Sequence, residues 1–121
     1  MPVTHGYRRK SFEWSIKGST LTIRNEAGLV HTYSITEINR ILDRLRASFG
    51  AGWFPLANNV EKLYQGTEAL GLGRVIYELK PGDTLHAQGA SYLGVVLEEL
   101  GVLQWNERRR GIQWRIVGEN L

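Results

Sequence analysis

At 121 residues, with 42% hydrophobic and 22% charged side chains, the chain has the make-up of one compact globular domain rather than a disordered polypeptide. It has no cysteine, which excludes disulfides, thiolate metal sites and thiol nucleophiles, and no apolar run approaching the ~20 residues of a membrane span. The net charge of +3 is unevenly spread, with residues 1–50 and 101–121 basic and 51–100 acidic; most of the basic residues are Arg, which suits phosphate or carboxylate recognition.

Residues 1–10 lack periodicity, end in Arg8-Arg9-Lys10 and read as a flexible basic arm. No hydrophobic stretch follows them, so a secretory signal is not expected and a soluble cytoplasmic protein is. Phe12, Trp14 and Ile16 then alternate with Glu13, Ser15 and Lys17, the period-2 pattern of a half-buried strand. Gly18-Ser19 suits a two-residue hairpin turn, and Leu21 and Ile23 mark the inner face of a second strand. Asn25 to Gly28 turns the chain again into a third strand, Leu29 to Tyr33. An antiparallel meander is predicted.

Ser34-Ile35-Thr36-Glu37 matches a capping box, in which the serine hydroxyl and the glutamate carboxylate each satisfy a free N–H at a helix start. Ile38, Ile41, Leu42, Leu45 and Phe49 recur at helical spacing, and Gly50-Ala51-Gly52 ends the helix. The apolar loop that follows contains Trp53, Phe54 and Leu56, which either pack the meander on the rest of the chain or form a dimer or partner surface. Asn58 or Asn59 caps a short helix over residues 60–65.

From Thr67 the pattern changes. Thr67 is expected to cap a helix buried along Leu72, Val75, Ile76 and Leu79. Gly71 and Gly73 weaken that helix, which points to close packing against a neighbour. Asp83 or Thr84 caps a second short helix, Gly89 makes a tight turn, and a third helix runs from Ser91 to Leu100 with Leu93, Val96, Leu97 and Leu100 inward. After Gly101 come a strand at residues 102–105, a hairpin loop holding Arg108-Arg109-Arg110, and a returning strand with Ile112, Trp114 and Ile116 on one face. The predicted class is α+β: a basic arm (1–10), a three-stranded meander with a helix and an apolar loop (11–66), and a helical module with a hairpin (67–121).

The order helix, short helix, turn, third helix, glycine and basic-tipped hairpin over residues 67–117 resembles the winged helix-turn-helix superfamily. The matching stretches are Leu97-Glu98-Glu99-Leu100-Gly101-Val102-Leu103 and the hairpin from Trp105 to Ile112. The resemblance implies double-stranded DNA as partner, with the third helix in the major groove and the hairpin as wing. A regulator, or an accessory protein of a mobile element, is the corresponding role.

The third helix departs from that pattern. Its outer face carries Ser91, Tyr92, Val95, Glu98 and Glu99, with no Arg, Lys, Asn or Gln, so Gln88, Ser91 and Tyr92 are the remaining candidates for base contacts. The wing supplies Arg108, Arg109, Arg110 and Arg115 for phosphates, and Arg8, Arg9 and Lys10 extend the same footprint. A rival expectation is a protein-interaction or dimerisation module that uses the same scaffold, with Trp53, Phe54 and Leu56 as its contact surface. His5, His31 and His86 lack metal-ligand spacing and read as surface or packing residues, no nucleophile motif is present, and neither cofactor nor enzyme activity is expected.

Overall fold

The structure, a computed structural model, describes residues 2–121. The fold is α+β and opens with the expected meander: β1 (Phe12–Lys17), β2 (Thr20–Asn25) and β3 (Val30–Ser34) form one antiparallel sheet in that order. The first turn places Gly18 at φ +60°, where a side chain is disfavoured. Alternation has its expected result on β2, where Leu21 and Ile23 are fully buried. On β1 it fades towards the end, since Phe12 is buried, Trp14 half-buried and Ile16 exposed. Ile16 is exposed on the edge strand although Leu21 and Tyr33 on the same rung are buried.

Ser34 is both the last residue of β3 and the cap of α1 (Ile35–Phe49), its hydroxyl accepting the Glu37 N–H at 3.0 Å. Only this half of the capping box forms. The Glu37 carboxylate turns away to meet the His86 ring at 2.6 Å, because a long-range partner lies within its reach. Ile38, Ile41, Leu42 and Leu45 form the buried stripe, and Gly50 ends the helix at φ +58°. Asn59 caps α2 (Val60–Gln65) by accepting the Lys62 N–H.

Thr67 caps nothing. The next helix, α3, starts later, at Leu72–Leu79, with Gly71 as its cap. The intervening residues are held by the buried Glu68, whose carboxylate accepts the N–H groups of Asn59 at 2.9 Å and Ala69 at 2.8 Å. A carboxylate satisfied by two main-chain donors holds this segment out of the helix. Asp83 caps α4 (Thr84–Gln88), and α5 (Ala90–Glu99) follows after Gly89 alone.

The segment read as an apolar loop is partly a strand. β4 (Phe54–Pro55) pairs with β6 (Gln113–Ile116), which pairs in turn with β5 (Leu103–Trp105), giving a second three-stranded sheet in the order β4-β6-β5. Phe54 stands opposite Trp114, and Trp114 opposite Trp105. Two residues are too short a run to announce period-2 alternation, so this strand left no trace in the sequence pattern. A single hydrophobic core joins both sheets and all five helices, from Phe12 and Tyr33 through Leu42 and Val75 to Trp114.

Candidate functional site

The wing loop is built around Asn106. Its backbone N–H donates to Gln113 O at 3.0 Å, its side-chain amide donates to Gly111 O, and its Oδ1 accepts the N–H groups of Arg108 and Gln113. Glu107 sits at φ +61° to make the turn. This frame presents Arg108 and Arg110 to solvent and leaves Arg109 half-buried. Among the described residues, none of the three enters an ion pair. Arg115, lower on β6, is already engaged: its Nε donates to Gln104 Oε1 at 2.8 Å, and its guanidinium lies 4.9 Å from the centre of the Trp53 ring.

The basic arm folds back on itself. Thr4 N–H donates to Lys10 O at 3.0 Å, Lys10 N–H donates to Thr4 Oγ1, and Val3 bridges Ser11. Instead of running free from its first residues, the arm closes into a loop whose tip exposes Tyr7, Arg8 and Arg9. One residue fastens it. The His5 ring stacks on Trp105 with centroids 3.5 Å apart and planes 2° from parallel, and its Nε2 meets Glu98 Oε2 at 2.5 Å. Glu98 Oε2 also accepts the Trp114 indole N–H at 3.0 Å. The arm is thereby fixed to the first strand of the wing, a hundred residues away in sequence.

The face of α5 expected to meet a nucleic acid is occupied by the chain itself. Tyr92 is 5% exposed and packs edge-on against Phe12, with centroids 5.1 Å apart, while the Asn25 amide donates to its hydroxyl at 3.4 Å. Val95, on the same face, is 6% exposed. Further along, the Trp14 indole N–H donates to Glu99 at 2.6 Å, and His5 holds Glu98. Tyr92 is therefore a core residue, unable to reach a base edge, and of the three base-contact candidates Gln88 is exposed and Ser91 half-buried. From Tyr92 onward this face of α5 is covered by the chain itself.

A warning was present in the sequence. Residues 92–97, Tyr-Leu-Gly-Val-Val-Leu, are apolar on every side, and a helix apolar all round is a buried one. Its inner side is tighter still. Gly94 lies against the Trp114 ring, where a Cβ would come within 2.3 Å of Cζ2.

The proposed contact loop divides similarly. Phe54 is fully buried and Leu56 packs on the core, so neither is a surface contact; Trp53, at 39% exposure, is the one open member. Trp53, Trp105, Asn106 and Arg108 line a broad groove of about 880 Å³ along the wing, with Glu98 and Glu107 also on its walls. Arg8 and Arg9 stand three and four residues from His5, and Arg108 three residues from Trp105. The stack thus brings the two basic loops into the same neighbourhood, each within about 10–14 Å of chain from it.

Gln88, Ser91, Tyr92 and Lys10 also converge, but on a different feature: a small polar cleft beside the start of α5, shared with His31. His31 is 4% exposed and stands near His86 and the Tyr33 hydroxyl, which donates to His86 O at 2.7 Å. Burial, and secondarily the neighbouring His86, lower the His31 pKa below the ordinary histidine value, against an opposing pull from Asp83. Burial, with Glu37 and Asp83 nearby, raises that of Tyr33.

A His31 pKa lowered in the folded state means that the unfolded chain binds the extra proton more readily. Its contribution to stability is complete above about pH 6.5, the unfolded value, and is lost as the pH falls from there through the folded one. Denaturant midpoints should therefore decline across that window, and His31→Gln should flatten the decline. An unchanged pH profile in the variant would assign the dependence to other groups.

Among the described residues no cluster of His, Asp and Glu is arranged to hold a metal ion, and no helix is long and apolar enough to cross a membrane. Compared with known proteins, the chain matches no family model, no curated protein and no solved structure.

Proposed function

We propose that this protein is a winged-helix DNA-binding protein that grips the phosphate backbone through its wing and arm and reads little or no sequence. The run α3, α4, α5 and the β5–β6 hairpin supports the winged-helix reading of residues 67–117. One observation carries the mode of binding. The exposed Arg108 and Arg110 have no ion pair among the described residues and sit on a loop whose strand is stacked on the arm that bears Arg8 and Arg9. With α5 covered, base readout by the third helix is removed and the basic loops remain. Glu98 and Glu99, at the end of α5, have their carboxylates turned onto His5, Trp114 and Trp14, while Glu107, next to Arg108 in the wing turn, is exposed.

Backbone binding releases counterions, so affinity falls linearly with the logarithm of salt, by about 0.9 units of slope per phosphate neutralised. Replacing Arg108, Arg109 and Arg110 together with Ala should weaken binding to any duplex equally and reduce the slope by up to about three units. Fluorescence anisotropy on two unrelated duplexes at two salt concentrations reads both quantities. A slope unchanged by the triple substitution would remove the wing from the mechanism.

A second reading has its own observation. The groove along the wing pairs two indoles, Trp53 and Trp105, with charges of both signs, a composition suited to a protein partner or a second copy of the chain. No binding of wild-type protein to duplex at low salt would favour that reading.

A further inference from the structure

The meander leaves β1 as an open sheet edge. Glu26 N–H donates to Ser11 O, whereas Phe12 N–H donates the opposite way, to Pro2 O. Main-chain groups of an antiparallel strand face alternate sides, so Glu13, Ser15 and Lys17 turn theirs to β2 while Trp14 and Ile16 turn theirs outward. The folded arm covers this edge only at its start, through Pro2 and the Val3–Ser11 bridge. Beyond Phe12, no described segment pairs with the outward groups.

Exposed edges are ordinarily guarded by a bulge, a proline or a charge on the inward face. β1 has none of these. Its register with β2 is unbroken from Phe12 to Lys17, it contains no proline, and its inward residues are Phe12, Trp14 and Ile16. Ile16 stays 38% exposed on the core face of the sheet, where β1 has no neighbour on its open side.

We propose that β1 pairs antiparallel with β1 of a second copy of the chain, about a two-fold axis at Ser15, so that two meanders become one continuous sheet. The run Phe-Glu-Trp-Ser-Ile-Lys (12–17) complements itself in that register. Trp14 stands opposite the partner's Ile16, and both turn their main-chain groups outward, so each such pair exchanges two N–H···O=C bonds. On the core face these side chains form aromatic–β-branched pairs that cover Ile16. On the outer face Glu13 stands opposite the partner's Lys17, at a non-hydrogen-bonded position where Cα atoms approach to about 4.5 Å. Among the described residues neither Glu13 nor Lys17 has an ion pair within its own chain.

Neighbouring registers fit worse. A slip of one residue sets outward groups against inward ones and sends the side chains to the wrong face. A slip of two, in either direction, places Glu13 and Lys17 opposite serines: Ser15 and Ser11 one way, Ser19 and Ser15 the other. Charge therefore selects both the second copy and this alignment. The opposite edge, β3 (Val30–Ser34), carries no Lys, Arg, Asp or Glu that would select a partner. The contact uses no residue of the groove at Trp53 and Trp105, and it does not rest on DNA binding.

Sedimentation equilibrium of the full chain should show monomer and dimer exchanging with a Kd of about 10–100 μM, weak as suits an interface below the standard size. Symmetry repeats every change, so Glu13→Lys or Lys17→Glu alone sets two like-charged pairs face to face and should weaken the dimer about tenfold or more. Both side chains are exposed, and Lys17 faces Thr20 within the chain, so the fold is retained. Mixing the two variants restores both attractive pairs and should give a heterodimer of about wild-type strength. Ile16→Pro removes an outward N–H without touching the ladder to β2 and should leave a folded monomer. Wild-type protein that stays monomeric at about 1 mM would leave the edge to a strand of a different protein and overturn the proposal. Mixed variants that remain monomeric would overturn it too. So would a dimer indifferent to Lys17→Glu but lost in Trp53→Ala, which would move the contact to the groove along the wing.

Discussion

Trp114→Ala is expected to lower the stability of the fold by about 4 kcal/mol, the range for removing a fully buried large ring. Trp114 is 1% exposed and belongs to the middle strand of the second sheet, opposite Phe54 on one side and Trp105 on the other. Its ring lies against α5 at Gly94, and its N–H reaches the Glu98 carboxylate that also holds His5. Deleting it opens a cavity between sheet and helix and removes one of the two donors from Glu98. A chain of this size should lose roughly 15 °C in Tm, read by calorimetry alongside urea unfolding.

The same contact can be tested from the other side. Gly94→Ala puts a methyl group where the indole stands, and overpacking of this kind costs about 2 kcal/mol. Combining it with Trp114→Leu should cost less than the two singly, since the smaller side chain makes room for the methyl. Strict additivity would mean that helix and ring do not press on each other.

Gly73→Val should be nearly as damaging, at about 3 kcal/mol. A Cβ at Gly73 would stand 2.5 Å from the Ala57 carbonyl oxygen and 2.8 Å from Asn58 Cα, and its own N–H donates to Leu56 O at 2.8 Å. Backbone crowds backbone here, so no rotamer change relieves the clash. Gly71 is similarly placed against Pro55, with a Cβ 2.3 Å from that carbonyl. Moving α3 outward to accept the side chain would strip Leu72 and Ile76 from the core and pull β4 from Trp114. Urea midpoints of Gly73→Ala and Gly73→Val should fall in that order. Near-wild-type values for both would show that the loop moves aside freely.

Those two glycines illustrate what could be read in advance. Glycine within a helical pattern weakens the helix, so its presence at residues 71 and 73 pointed to a close neighbour, and residues 55–58 are that neighbour. What the pattern does not contain is the identity of the neighbour, because contact across the sequence leaves no periodic mark. Glu37 makes the same point. Its position three residues after Ser34 predicts a reciprocal cap, yet His86, distant in sequence, takes the carboxylate instead.

For the candidate site the division is sharper. Arg108 and Arg110 at a hairpin tip and Arg8 and Arg9 on an arm are local features, and the structure leaves them exposed as the sequence implied. Leu93, Val96 and Leu97 supply an inward stripe, and that pattern predicts Tyr92 on the outer face. Having that stripe does not make the other face free. Phe12, Trp14 and His5 cover it, and a second covering layer is visible only once the meander has been folded over α5.

The sequence by itself determined the elements: strand alternation, helical stripes, cap residues and glycine stops set three strands, a long helix, a helical run and a basic hairpin, because each depends on neighbours a few residues apart. The tertiary structure alone decided which faces remain open. It bound the arm to the wing through His5 and Trp105, drew Phe54 into the second sheet, and buried the third helix on both sides. Burial and pairing across fifty to a hundred residues depend on how whole layers fit together, and side-chain order along the chain records only the faces that each layer offers.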